Sequence, residues 1–221
     1  MGSITRSLSN NITTGGVILP AGITNSSVSA VTSFANASGG TLILLSTQTA
    51  SSSATISFTT GLDSTYDEYI FKFINCHPSS NGARLTFNLS TDSGSNYNVT
   101  KTTTVFKASH KEDGASTALT YDTGADLAQG TGFQNLGTDL INDNDSNVSG
   151  ILTLFNPSST TYVKHFIATS NGMSDGSPPY SENRYIAGYG NTTSAVNAIQ
   201  FKFDAGNIDD GIFKLYGVKK S

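Results

Sequence analysis

Over residues 68–75 the chain alternates strictly: Tyr69, Phe71 and Phe73 fall on one face of an extended backbone, and Ile70, Lys72 and Ile74 on the other. Side chains of a strand point to opposite faces with a period of two, so this is a strand signal and not a helical one. The same reading predicts strands at 41–46, 54–59, 68–75, 84–89, 102–108, 118–121, 149–156, 162–169, 185–190, 198–203 and 211–218. Clusters of Gly, Pro, Asn, Asp and Ser stand between them at 78–82, 92–96, 156–159 and 204–207, residues that accept turn geometry. Leu85, Phe87 and Leu89 share one face of their strand, as Ile199, Phe201 and Phe203 do of theirs, so the two are expected to meet in the core. The last strand is apolar on both faces, with Phe213 and Leu215 opposite Ile212 and Tyr216. That pattern predicts a central strand or one covered by a partner subunit. One helical turn is expected at 125–134. More than eight strands with polar connections predict an all-β fold, an antiparallel β-sandwich of the jelly-roll kind.

The first 40 residues read differently. Val17, Ile18, Leu19, Ile23 and Val28 are scattered among Ser, Thr, Asn and Gly without a sustained period. They are too sparse to build a core and sufficient to pack on another surface. The expected organisation is an extended N-terminal assembly arm over 1–40 and a sandwich domain over 41–221, the arm docking on a neighbouring subunit or particle, or lying on its own domain.

Only 13% of the 221 residues are charged, against about 25% in ordinary domains, so solubility rests on hydroxyls and amides. A net charge of -4 gives no basic footprint for nucleic acid. No apolar run approaches the length that crosses a bilayer, so membrane insertion is not expected. The single Cys76 follows the aromatic strand and is expected to be a small buried hydrophobe.

Candidate chemistry is thin. Glu68, Glu112 and Glu182 stand apart from one another, and His77, His110 and His165 are dispersed, with no Gly-x-Ser-x-Gly elbow. His165 is expected to be a satisfied structural histidine on its strand. An aspartate pair formed only by folding, among Asp204, Asp209 and Asp210, is the one route to a carboxylate dyad left open. The weak metal candidate is Asp143, Asp145 and Asn147, whose one-three-five spacing begins a calcium loop. Val148 then stands where glycine is needed and Leu154 where a glutamate is needed, so neither metal nor other cofactor is expected. Tyr180, Tyr185 and Tyr189 surround a polar loop and are the weak candidates for stacking on a glycan.

Four segments resemble a known family. GLDSTYDEYIFKFINCHP at 61–78, ILTLFNPSSTTYVKHFIAT at 151–169, AGYGNTT at 187–193 and NIDDGIFKLYGV at 207–218 are similar, in order, to the small virion structural and appendage proteins of tailed bacteriophages, especially marine phages infecting cyanobacteria and related bacteria. The resemblance implies a non-enzymatic virion protein, a tail-fibre or capsid-decoration component assembled in the host cytoplasm. It also implies a symmetric homo-oligomer, with a homotrimer expected, fixed to other virion proteins by the N-terminal arm. The alternative is a module that recognises host surface glycan during attachment.

Overall fold

A computed structural model describes residues 41–220. Twelve strands form two antiparallel sheets, and there is no helix among the described residues. In chain order they are β1 (Leu42–Ser53), β2 (Ile56–Phe58), β3 (Glu68–Pro78), β4 (Leu85–Ser90), β5 (Lys101–Lys111), β6 (Thr117–Tyr121), β7 (Gln134–Asn135), β8 (Val148–Phe155), β9 (Lys164–Ser174), β10 (Tyr180–Gly190), β11 (Ala198–Phe203) and β12 (Ile208–Val218). The large sheet runs β1-β12-β3-β8-β9-β10-β5-β6 and the small one β2-β11-β4-β7.

The alternation of the sequence places the core. Tyr69, Phe71 and Phe73 of β3 are buried, as are Phe213 and Leu215 of β12 beside them and Leu152 and Leu154 of β8. From the small sheet, Phe201 pairs directly with Phe87, Ile199 with Leu89 and Phe203 with Leu85, and all six are buried. The two patterns expected to meet in the core do so as neighbours in one sheet. Phe201 then reaches across to Phe71, Phe73 and Phe213 with ring centres 5.7, 6.5 and 5.3 Å away. Phe73 lies flat enough over β8 that a Cβ on Gly150 would sit 2.5 Å from its ring, so glycine at 150 is a packing requirement. Cys76 is buried among these residues, and burial pushes its thiol pKa up.

β12 lies between β1 and β3, as its two-sided apolar pattern predicts. The hairpin β9-β10 is longer than expected, because main-chain pairing continues to Tyr180 opposite Ser174 through polar residues with no alternation signal. The predicted helical turn at 125–134 is not formed. Its backbone groups are taken by β5 instead: Gly130 and Lys101 exchange N–H···O bonds of 2.8 and 3.0 Å, and Thr103 N–H donates to Leu127 O at 2.9 Å. These backbone groups are therefore engaged by a strand distant in sequence rather than by the i→i+4 bonds a helical turn needs.

Beyond the span of the small sheet, the inner face of β10 and β5 is covered by residues 122–140, where polar contacts accompany the buried Val105, Ile186, Ala125, Leu136 and Leu140. Arg184 Nε donates to Glu182 at 2.9 Å and Nη2 lies 3.1 Å from Asp122, while Lys107 approaches Glu182 at 3.3 Å. Gln134 accepts from Thr103 Oγ1 at 2.7 Å and donates to Ala125 O. Breaking one member of such a buried set leaves an unpaired charge, so the set fixes the covering segment in one place.

Phe73→Ala is expected to lower the free energy of unfolding by about 3–5 kcal/mol through lost burial and a residual cavity. Lys72→Ala, on the opposite face, should change it by no more than about 0.5 kcal/mol. Urea denaturation of the two variants checks the register, and equal losses would contradict it.

Candidate functional site

The outward face of the large sheet is the most distinctive surface of the described residues. Strand pairing sets its side chains in rows. Tyr121 of β6 lies opposite Phe106 of β5, then come Tyr185 of β10, Thr169 of β9 and Ile151 of β8. The next row is Thr104, Ala187, Ile167 and Thr153, and the one after it Thr102, Tyr189 and His165. From β8 to β6 the outward positions carry no Asp, Glu, Lys or Arg. Ile167 is 54% exposed at the centre of this face and Leu119 73% at its edge; Phe106, Tyr121, Ile151 and Tyr185 are exposed as well.

The rings are organised. Phe106 and Tyr185 stack with centres 5.0 Å apart and planes 14° apart, and the Tyr189 ring sits 5.9 Å from His165 at a tilt of 60°. Between these pairs the floor drops, because Ala187 has only a methyl group where its neighbours have rings. Two hollows result. One of about 450 Å³ lies among Phe155, His165, Ile167 and Tyr189; one of about 190 Å³ lies between Ile167 and the Phe106–Tyr185 stack. Both rest on Thr104 and Ala187. Gly188 keeps β10 close to β5, since a Cβ there would stand 2.6 Å from Thr102 O. Asn183 Oδ1, on the same face, is buried without a donor.

Tyr185 and Tyr189 of the sequence-predicted stacking set therefore share this face. Tyr180 does not; it lies at the far end of β10, where Lys111 Nζ sits 5.9 Å from its ring centre. His165 lies on its strand as expected but is exposed, because β9 presents its odd-numbered positions outward here. The surface can bury apolar groups and stack on rings. It offers threonine hydroxyls but no paired carboxylates.

The metal candidates are only partly gathered. Asp145 and Asn147 border a groove of about 360 Å³ with Asn75, His77, Asp209 and Asp210, whereas Asp143 does not line it. Asn147 turns its amide nitrogen to Asp145 O at 3.2 Å, and His77 Nδ1 contacts Ser146 O at 2.6 Å. No group of three His, Cys, Asp or Glu side chains is close enough to hold a metal among the described residues. The three aspartates left open are each engaged separately: Asp204 accepts from Arg84 N–H, Asp209 from Ser52 Oγ and Asp210 from Gly211 N–H. The arm residues Val17, Ile18, Leu19, Ile23 and Val28 lie outside the described residues.

Sequence reasoning missed the buried amines. Lys101 and Lys164 are both fully buried, without a carboxylate partner among the described residues. Lys101 Nζ donates to Asn88 Oδ1 at 2.5 Å and Val99 O at 2.8 Å, and desolvation pulls its pKa down to about 7. Lys164 Nζ donates to Tyr162 O and Thr192 O, and burial lowers its pKa too. The available signal was parity: Lys101, Thr103 and Val105 share one face, and Val105 is apolar.

Comparison of the chain with protein-family models, curated protein sequences and solved structures gave no match.

Chelation with EGTA is expected to leave the melting temperature unchanged, and Asp143→Ala to behave the same way with and without calcium. Differential scanning fluorimetry checks this; a fall of many degrees on chelation, abolished by the substitution, would establish a calcium site.

Proposed function

We propose that this chain is a non-enzymatic structural protein of a bacteriophage particle, an external appendage, fibre or capsid-surface subunit that assembles through the outward face of its large sheet. The observation that carries the reading is that face: an uncharged, ring-rich surface on a domain whose own core is already complete. Exposed apolar patches of this breadth mark interaction sites. A second copy of the chain is the occupant that suits it, since an uncharged surface meets its own copy without repulsion. Symmetric closed oligomers are the usual outcome of such contacts, here a homotrimer. The sequence resemblance supplies the particle, and the N-terminal arm its attachment to other virion proteins.

The strand order supports the same reading. Setting aside β5-β6 and β9-β10, the remaining eight strands run β1-β12-β3-β8 and β2-β11-β4-β7. We read this as jelly-roll wiring, two sheets with each long connection crossing between them, an architecture frequent in capsid and lectin domains. The two inserted hairpins lengthen only one sheet, and they are what creates the broad outward face. Host-glycan recognition is the second reading, favoured by the Phe106–Tyr185 stack and the hollow beside Tyr189.

Light scattering with size-exclusion chromatography is expected to show an oligomer for the full chain and a folded monomer for Ile167→Glu, with unchanged far-UV circular dichroism. A monomeric parent would refute assembly through this face. Glycan-array binding by the parent protein that is lost in Tyr189→Ala, with the oligomeric state of that variant unchanged, would favour the second reading.

Deleting residues 1–40 should leave a β-rich domain that no longer co-sediments with particles. An unfolded truncation, or one that still joins the particle, would remove the assembly arm from the account.

A further inference from the structure

Asn88 of β4 and Lys101 of β5 belong to strands of different sheets and meet through their side chains, both with no exposed surface. Asn88 Oδ1 accepts from Lys101 Nζ at 2.5 Å and from Leu89 N–H at 2.9 Å. Its Nδ2 donates to Tyr97 O at 2.6 Å and to Thr131 O at 2.9 Å. Those four contacts fix which end of the amide is oxygen. They also set an amine beside a carboxamide whose carbonyl is polarised by a backbone donor and whose nitrogen is gripped by two carbonyls, in a site closed to water.

We propose that Lys101 and Asn88 join in an intramolecular isopeptide bond that ties the small sheet covalently to the large one. The lone pair of the Nζ amine adds to Asn88 Cγ, and the charge that develops on Oδ1 is met by Leu89 N–H, a preorganised donor of the oxyanion-hole type. One proton passes from Nζ to Nδ2, the Cγ–Nδ2 bond breaks, and Nδ2 leaves as ammonia. The product is a secondary amide between Nζ and Cγ. Nothing is oxidised or reduced, and no second reactant is consumed.

Three features favour the step. Desolvation makes Lys101 a free amine for much of the time near neutral pH, which is the nucleophilic form. The reacting groups are held in contact by the fold, which replaces an encounter in solution by a first-order step. Among the described residues no carboxylate pairs with the Lys101 ammonium, and its hydrogen bonds to neutral oxygens offset only part of the cost of burying the charge; an amide in its place removes that cost.

The test is a tryptic digest of the purified full-length chain after denaturation. Trypsin cuts after a free lysine, so without the bond Lys101 closes the peptide 85–101 and the next peptide is 102–107. With the bond, residues 85–107 are expected as one peptide, lighter than its sequence by one ammonia, with no backbone fragment ions between 88 and 101. Asn88→Ala should restore cleavage after Lys101 at full mass. Cleavage after Lys101 in the parent protein overturns the proposal, whether Asn88 is intact or has lost ammonia by closing on its own backbone. If the variant does not fold, the parent peptide decides alone.

Discussion

Phe201 is the contact on which the two sheets depend. Its ring lies within reach of Phe58 and Phe87 from its own sheet and of Phe71, Phe73 and Phe213 from the other. Most of these pairs are tilted, and the Phe58 pair is edge-on, arrangements that avoid face-to-face repulsion of ring quadrupoles. Two packing conditions follow from this cluster. β8 must bring glycine beneath Phe73, because any side chain at 150 would occupy the ring's place. β11 must pair with β4 in the register that sets Phe201 opposite Phe87, since a shift of one residue would turn every core ring of the strand outward.

The sandwich is lopsided, and the broad outward face of its large sheet follows from that. Four strands cannot cover eight. The inner face of the overhang, on β10 and β5, is closed by residues 122–140 through ion pairs and side-chain amides, where Arg184, Glu182 and Gln134 replace the aromatic packing of the centre. Among the described residues the outer face has no such cover. It presents Tyr185, Phe106, Ile167 and Ile151 in registered rows, and a partner of similar polarity would complete it. The edge strand β6 is exposed along its whole length among the described residues, and open edges are sites where another strand can pair.

Much of the fold was legible in the sequence because each strand that packs a ring or branched side chain inward alternates with something different outward. All eleven expected strands exist, although several are longer than their signal. β1 and β9 extend through Ser, Thr and Asn that carry no period of two, held by the partner strand rather than by their own pattern. β7 was not legible: it is two polar residues, Gln134 and Asn135, placed by pairing with Thr86 and Phe87. The misjudged turn at 125–134 has the same origin, since its backbone bonds go to β5, distant in sequence. Of the candidate site, Tyr185 and Tyr189 were named, but Phe106 and Ile167 were not, because outward apolar residues look the same as inward ones until the sheet is assembled.

The sequence by itself determined the all-β class, the positions of the strands and the faces of most core rings. These depend on local properties, namely side-chain alternation and the conformational preferences of Gly, Pro, Asn and Asp at turns. Only the tertiary structure decided the sheet order, the covering of the overhang and the meeting of Lys101 with Asn88. Those depend on pairings between strands far apart along the chain, where any strand with a free edge satisfies the backbone equally well. The choice among partners is then made by the total packing of the core, and no single segment carries that information.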